Sequence, residues 1–339
     1  MAEMTDRRAL SEAFLSGAGW GQAERRFLAG DASDRSYDRL RQHGKSAVLM
    51  DAPVGKGDDP ATFLEIAAHL SGLGLSAPKC YAQDLKQGFL LLEDLGDSVY
   101  ASVLKTNPAC EISLYTAATQ VVAHVQRHPA PPDLPNLQAQ DWAQAACMSL
   151  DWYRFAITGG RVDVGDFRDA LTDALCRHAD GARVMILRDY HAENLLWLPD
   201  RDGLARVGLL DFQLAQMGQP GYDLVSLLQD ARRDVSRETE AAMARLFCDD
   251  TGSDHAQFRA AYATLGAQRA LRILGIFARL CLHGGKAGYV ALIPRVWNHL
   301  QQNLAAAELA PLAEICARLL PEPTPEVLVK IGAQCGRFP

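Results

Sequence analysis

Strand-like runs crowd into the first hundred residues of this chain, and helical periodicity takes over almost everywhere after them. That order constrains the fold more than any single motif does, because strands grouped ahead of helices point to an α+β protein. Residues 24–28, 36–41 and 46–50 read as short strands separated by turn signals at Gly30-Asp31-Ala32-Ser33 and His43-Gly44-Lys45. Residues 4–16 read as a helix. So do residues 61–71, from the spacing of Phe63, Ile66, Ala67 and Leu70, and residues 88–93 form a further strand. From Ser98 onward the apolar spacing is helical, as in Ile112, Tyr115, Val122 and Val125. The lobe boundary is expected near Gly96, giving lobes of residues 1–96 and 97–339.

One strand pair interrupts the helices, and it carries the chemistry. The run Val184-Met185-Ile186-Leu187 leads into Arg188-Asp189-Tyr190-His191-Ala192-Glu193-Asn194, and a second apolar run, from Ala205 to Leu210, ends at Asp211. Asp and Asn are common turn residues, so an Asp-x-x-x-x-Asn spacing alone is weak. Two acidic residues at the ends of successive apolar runs are harder to explain as turns, since burying unpaired charge is costly. Phosphoryl transfer from a nucleotide uses this set: one carboxylate orients the attacking hydroxyl, while an amide and a second carboxylate hold magnesium against the phosphates. Asp189 is the expected catalytic residue, with Asn194 and Asp211 as metal ligands. His191, a lone ring, is expected to brace the loop. Asp223, at the start of a helix-like run, is expected either to cap that helix or to anchor the loop backbone.

The stretch from Leu187 to Val235 resembles the aminoglycoside phosphotransferase family, whose fold is related to that of protein kinases. Within it, Arg-Asp-Tyr-His-Ala-Glu-Asn-Leu-Leu-Trp, Gly-Leu-Leu-Asp-Phe-Gln and Tyr222-Asp223-Leu224-Val225 are most similar to one branch, the anomeric sugar kinases of N-acetylmuramate and N-acetylglucosamine. Ala47-Val48-Leu49-Met50-Asp51, Leu90-Leu91-Leu92-Glu93-Asp94-Leu95-Gly96 and Leu274-Gly275-Ile276 fit the same branch. The resemblance implies a two-lobed fold, a small β-rich nucleotide-binding lobe ahead of a larger helical catalytic lobe. It also implies transfer from ATP, with Mg2+, to the 1-hydroxyl of an amino sugar in cell-wall recycling. Gly30, Ser33 and Arg35 would then lie over the phosphates, and Glu93 and Leu95 along the adenine edge. A kinase of another small alcohol (aminoglycoside, choline or homoserine) and a non-catalytic nucleotide-binding scaffold are the alternatives.

Two departures from the kinase pattern stand out. The strand position that carries a phosphate-binding lysine in protein kinases is Met50 here, as in the sugar-kinase branch, so Glu65 on the next helix loses its ionic partner. Arg35 or Lys45 is then left to neutralise phosphate. Leu187 stands where kinases place a bracing His, and Phe212-Gln213 replaces Phe-Gly, which argues against a flipping activation loop. No Gly-x-x-x-x-Gly-Lys-[Ser/Thr] sequence occurs, which excludes the P-loop class.

Composition narrows the setting. The 339 residues are 48% hydrophobic, enough for a large core. A net charge of −7 argues against nucleic acid as a partner, so positive potential for ATP must be concentrated locally. The chain offers no signal core and no apolar run long enough for a bilayer, and its eight Cys form no Cys-x-x-Cys pair. These features agree with a soluble cytoplasmic enzyme without membrane contact, and the resemblance implies a small-molecule amino sugar as its partner. Trp152, Tyr153 and Arg154, with Arg279 and Lys286, are the candidates for binding the sugar, an aromatic face and basic groups being what a carboxylated amino sugar would use.

Overall fold

The computed structural model describes residues 2–30 and 35–338. The chain begins with α1 (Ala2–Gly17), β1 (Glu24–Gly30), β2 (Ser36–Gln42), β3 (Lys45–Asp51), α2 (Pro60–Gly72), β4 (Cys80–Asp84) and β5 (Phe89–Glu93). Helices α3 (Tyr100–Thr106), α4 (Glu111–Gln126), α5 (Ala139–Ala146), α6 (Phe155–Thr158) and α7 (Gly165–His178) follow. Four short strands come next: β6 (Val184–Ile186), β7 (Leu195–Trp197), β8 (Val207–Leu209) and β9 (Gln216–Gly218). Helices α8 (Tyr222–Leu228), α9 (Arg237–Thr251), α10 (His255–Leu282), α11 (Ile293–Leu304), α12 (Ala310–Leu319) and α13 (Pro325–Gly332) complete it. The chain divides into two compact units: Met1–Val121 with Ala192–Ala215, and Val122–His191 with Gln216–Pro339.

The first unit is built on a five-stranded sheet in the order β1-β2-β3-β5-β4, every neighbouring pair antiparallel. Its middle strands are buried on both faces, which is why Ala47-Val48-Leu49-Met50 and Phe89-Leu90-Leu91-Leu92 read as continuous apolar runs. Helix α1 covers one face through Leu15, which packs with Leu40, Ala47, Leu49, Phe89 and Leu91. The Arg7 guanidinium lies 4.0 Å over the Phe89 ring and donates to Asp51 at 2.8 Å. Gly88 (φ +73°) is required where β5 begins: a Cβ there would sit 1.9 Å from the Ala52 carbonyl oxygen. Asp59 caps α2 through the N–H of Ala61 at 2.9 Å, with Pro60 at the first helical position. The β7–β8 hairpin joins this unit through Ser76, whose carbonyl accepts from the N–H of Leu209 at 2.9 Å.

The second unit is helical, and α10 runs through its core for 28 residues. Leu271, Leu274, Ala278 and Leu282 on this helix are buried among Trp142, Leu150, Tyr153, Leu171 and Leu300. Gly275 permits the close approach: a Cβ on it would lie 2.2 Å from the Met148 carbonyl carbon, just ahead of a π-helical turn at Ser149–Arg154. Strands β6 and β9 pair antiparallel in this unit, Ile186 opposite Gln216. No described helix is long and apolar enough to cross a membrane.

Candidate active site

In the first unit, Asp211 follows β8 directly, and its backbone takes φ +55°, a left-handed conformation that Asp tolerates better than most residues. The N–H of Leu210 donates to the Asn194 carbonyl at 3.0 Å, which ties the two metal-ligand candidates together through the β7–β8 hairpin. Their side chains meet as well: Asn194 Nδ2 lies 3.4 Å from Asp211 Oδ2. The other oxygen, Oδ1, accepts from Gln213 Nε2 at 2.8 Å and from Arg35 Nη2 at 3.2 Å. Gln213 and Arg35 also reach Asp58 Oδ2, at 3.3 and 3.5 Å. Arg35 is buried, whereas the Asp211 side chain keeps 33% of its surface exposed. The Arg35 guanidinium is thus the counter-charge that Asp58 and Asp211 share.

Phe212 fixes the segment from the other side. Its ring is buried and stacks on Phe63 of α2, centroids 4.9 Å apart and planes 23° off parallel. Glu93 ends β5 in an ion pair with Arg201 at 2.7 Å, and Gly208 leaves space for Leu95, whose Cδ1 would lie 3.3 Å from a Cβ at that position. Gly30 closes β1 opposite Ser36. Ser33 lies outside the described residues. Met50 is buried between Tyr37 and Leu90, while Glu65 and Lys45 are exposed. Arg35 is thus the basic residue that stands at Asp211. Asp58 was not singled out in the sequence, because Gly57-Asp58-Asp59-Pro60 reads as a helix-capping turn and nothing in it signals a carboxylate shared through Arg35 and Gln213.

In the second unit, the loop after β6 carries Asp189. Asp223 is the anchor of that loop: Oδ2 accepts from the N–H of Leu187 at 2.7 Å and Oδ1 from the N–H of Arg188 at 2.9 Å. Helix α8 is capped by Gly221 without a side-chain bond, so Asp223 serves the loop and not its own helix. Arg188 takes φ +70°, a strained backbone for a long side chain, and the N–H of Asp189 closes back on the Leu187 carbonyl at 2.9 Å. Burial pushes the Asp223 carboxyl up to about 7, against the two N–H donors and the Arg269 charge that favour its ionised form. His191 is buried as well. Desolvation lowers its imidazole to about 4, with Asp230 opposing, so the ring is neutral at physiological pH.

The five residues expected to bind the sugar also belong to this unit. Tyr153 is fully buried and its hydroxyl donates to the Pro321 carbonyl at 2.6 Å, which leaves it no surface for a ligand. Trp152 packs near His283, and Arg154 donates to the Gly160 carbonyl at 2.7 Å. Arg279 and Lys286 are exposed around the end of α10. A polar cavity of about 370 Å³ opens at a different place, lined by Asp234, Arg237, Glu240, Arg295, Asn298 and His299. Arg295 grips Asp234 with two bonds, 2.6 and 3.0 Å, across it. None of these six was singled out from sequence; Asp234 alone fell within a stretch quoted for the family resemblance.

Residues 24–262 match the model of the phosphotransferase enzyme family. A Caulobacter vibrioides protein named N-acetylmuramate/N-acetylglucosamine kinase is 37% identical, with 96% of this chain and 99% of that protein covered. A Pseudomonas aeruginosa protein of the same name is 33% identical over 91% of this chain and 93% of its own. Among solved structures, a choline/ethanolamine kinase family protein from Mesorhizobium loti superposes with a TM-score of 0.61 at 14% identity, covering 96% of this chain and 99% of its own. At that identity the likeness speaks for the two-lobed kinase-like fold alone. The sheet-rich and helical units agree with it, and the matched region takes in Asp189, Asn194, Asp211 and Asp223: this chain belongs to the phosphotransferase enzyme family.

Proposed function

We propose that the chain transfers the γ-phosphoryl group of ATP to the anomeric 1-hydroxyl of N-acetylmuramate and N-acetylglucosamine. The observation that carries this reading is the near full-length similarity to kinases named for those two sugars, joined to the presence of Asp189, Asn194 and Asp211. In the mechanism, Asp189 accepts a hydrogen bond from the 1-hydroxyl and takes its proton late in transfer, as the new O–P bond forms and ADP departs. Asn194 and Asp211 offer oxygen donors only, one of them an accessible carboxylate, and this suits a hard divalent cation that keeps most of its ligands from phosphate and water. Magnesium held there would supply charge neutralisation for the phosphates. Arg35 orients Asp211 and offsets part of its charge. Asp223 holds the backbone that carries Asp189. The cavity between residues 234–240 and α11 is the proposed berth for the polar face of the sugar, Arg295 being suited to a carboxylate.

The test is magnesium-dependent transfer of label from γ-labelled ATP to each free sugar and to its 1-O-methyl glycoside. Label on the free sugars alone is expected. Transfer to the blocked glycosides, or to neither form while choline or an aminoglycoside is labelled, would replace the acceptor and keep the kinase.

A further inference from the structure

Helix α10 carries a charge where a helix core normally has none. Arg269 sits mid-helix and is only 6% exposed. A guanidinium in such a place must be satisfied by its surroundings. Nη2 donates to Ser226 Oγ on α8 at 2.8 Å, and Nη1 to the carbonyl of Gln229 at 3.3 Å, where α8 ends. A cation at that end also meets the negative pole of the helix. Nε is buried without a hydrogen-bond partner, so these two bonds to α8 are the ones that hold the group.

The target of those bonds is informative. Helix α8 has a single turn between Asp223, which clamps the N–H groups of Leu187 and Arg188, and Ser226, which Arg269 grips. One turn further, α10 adds Arg272, whose Nη2 donates to the hydroxyl of Tyr222 at 2.8 Å. Both ends of this short helix are therefore pinned by arginines from the same face of α10. The charge reaches the same group: Arg269 favours the ionised form of Asp223, and it interacts electrostatically with Asp189 and Asp230. Among these buried groups, Asp223 and Asp230 are acidic and Arg269 is the counter-charge.

We propose that Arg269 is a positioning residue for phosphoryl transfer, acting through α8 to hold the Asp223 carboxylate under the loop that carries Asp189. This rests on the kinase reading above. It does not touch ATP or sugar, so its loss acts on turnover and not on affinity. The guanidinium must be charged and must reach Ser226, requirements that lysine meets in part and methionine does not.

The experiment compares wild type, Arg269→Met, Arg269→Lys, Asp223→Asn and the Met/Asn double variant, with kcat and KM for ATP and N-acetylglucosamine and a thermal melt of each. Wild type must first phosphorylate the sugar; if it does not, the kinase reading fails and Arg269 is not at issue. With an active wild type, Arg269→Met is expected to lose about thirtyfold or more in kcat with both KM values within threefold, and Arg269→Lys to recover a substantial share. In the Asp223→Asn background the same change should cost less than threefold, since the carboxylate it supports is gone. Equal losses in both backgrounds, a loss confined to KM, or a near-normal kcat would overturn the proposal. If Arg269→Met does not fold, Ser226→Ala removes only the 2.8 Å bond. About a fivefold drop in kcat with unchanged KM is then expected, and an unchanged kcat overturns the idea.

Discussion

Asp223 accepts the N–H of Arg188 at 2.9 Å, and Arg188 is one of four non-glycine residues with positive φ among the described residues. The strained link in the loop that carries Asp189 is thus the one tied down by a buried carboxylate, one residue before Asp189. Strain of this kind persists only where the surroundings over-determine it.

Replacing the carboxylate tests that link through pH. Asp223 titrates near 7 in the folded chain against an ordinary 3.8. Between those values the folded chain holds a proton that the unfolded chain has released, so the group's contribution to stability is complete below about 4 and is lost as pH rises through 7. Catalysis runs the other way, because a protonated carboxyl accepts from the two N–H groups less strongly than the carboxylate does. Wild type should therefore lose kcat as pH falls through 7 while its melting temperature gains. Asp223→Asn should be slow at every pH and lack both trends; a mutant with the wild-type acid limb would rule Asp223 out as its source.

Asp189→Ala should lower kcat by roughly 10² to 10⁴ through loss of the group that receives the hydroxyl proton. Circular dichroism and the melt should match wild type, because Asp189 lies at the half-exposed tip of its loop. A folded variant with near-normal turnover would remove Asp189 from the mechanism.

Asp211→Asn alters the accessible carboxylate beside Asn194 and puts a donor or a weaker acceptor opposite Gln213 and Arg35. The magnesium concentration for half-maximal rate should rise by about tenfold or more. A magnesium titration that superimposes on wild type would place the cation elsewhere.

Arg295→Ala opens the 370 Å³ cavity and frees Asp234 from its two bonds. KM for N-acetylmuramate should rise by about tenfold, with a smaller change for N-acetylglucosamine, which has no lactyl carboxylate for the guanidinium to meet. Equal KM values for both sugars before and after would exclude the cavity as their berth.

Gly275→Ala is a test of packing alone. The new methyl would meet Met148 backbone at 2.2 Å, and backbone cannot rotate away as a side chain can. A cost of at least about 2 kcal/mol is expected, or a fall of roughly 3 °C or more in melting temperature. Unchanged melting would mean that α10 can slide along the 149–154 turn.

The legible parts of the chain were those where periodicity and chemistry coincide. The apolar runs that lead to Asp189 and Asp211 drew the proposed site; strands β3 and β5 and helix α2 announce themselves through apolar spacing, and β1 and β2 through the turn signals that bound them. Strand β4 does not, because as an edge strand its Cys80–Asp84 run is mostly exposed and has no apolar alternation to read. A single boundary at Gly96 follows the change from strands to helices, whereas packing carries the first unit on to Val121 and returns Ala192–Ala215 to it. Pairing of β8 with Ser76 is a long-range event that no local pattern encodes. Arg269 was invisible for a similar reason: one arginine in a helical repeat looks like a solvent-facing position until the helix is found buried all round.

The stacking of Phe212 on Phe63 bears on inhibition. In kinases whose corresponding aromatic ring swings out, the vacated hole admits compounds that never compete for the nucleotide's own space. Here that ring is 1% exposed and fills its hole against α2. A compound could occupy that hole only after Phe212 left its stack on Phe63.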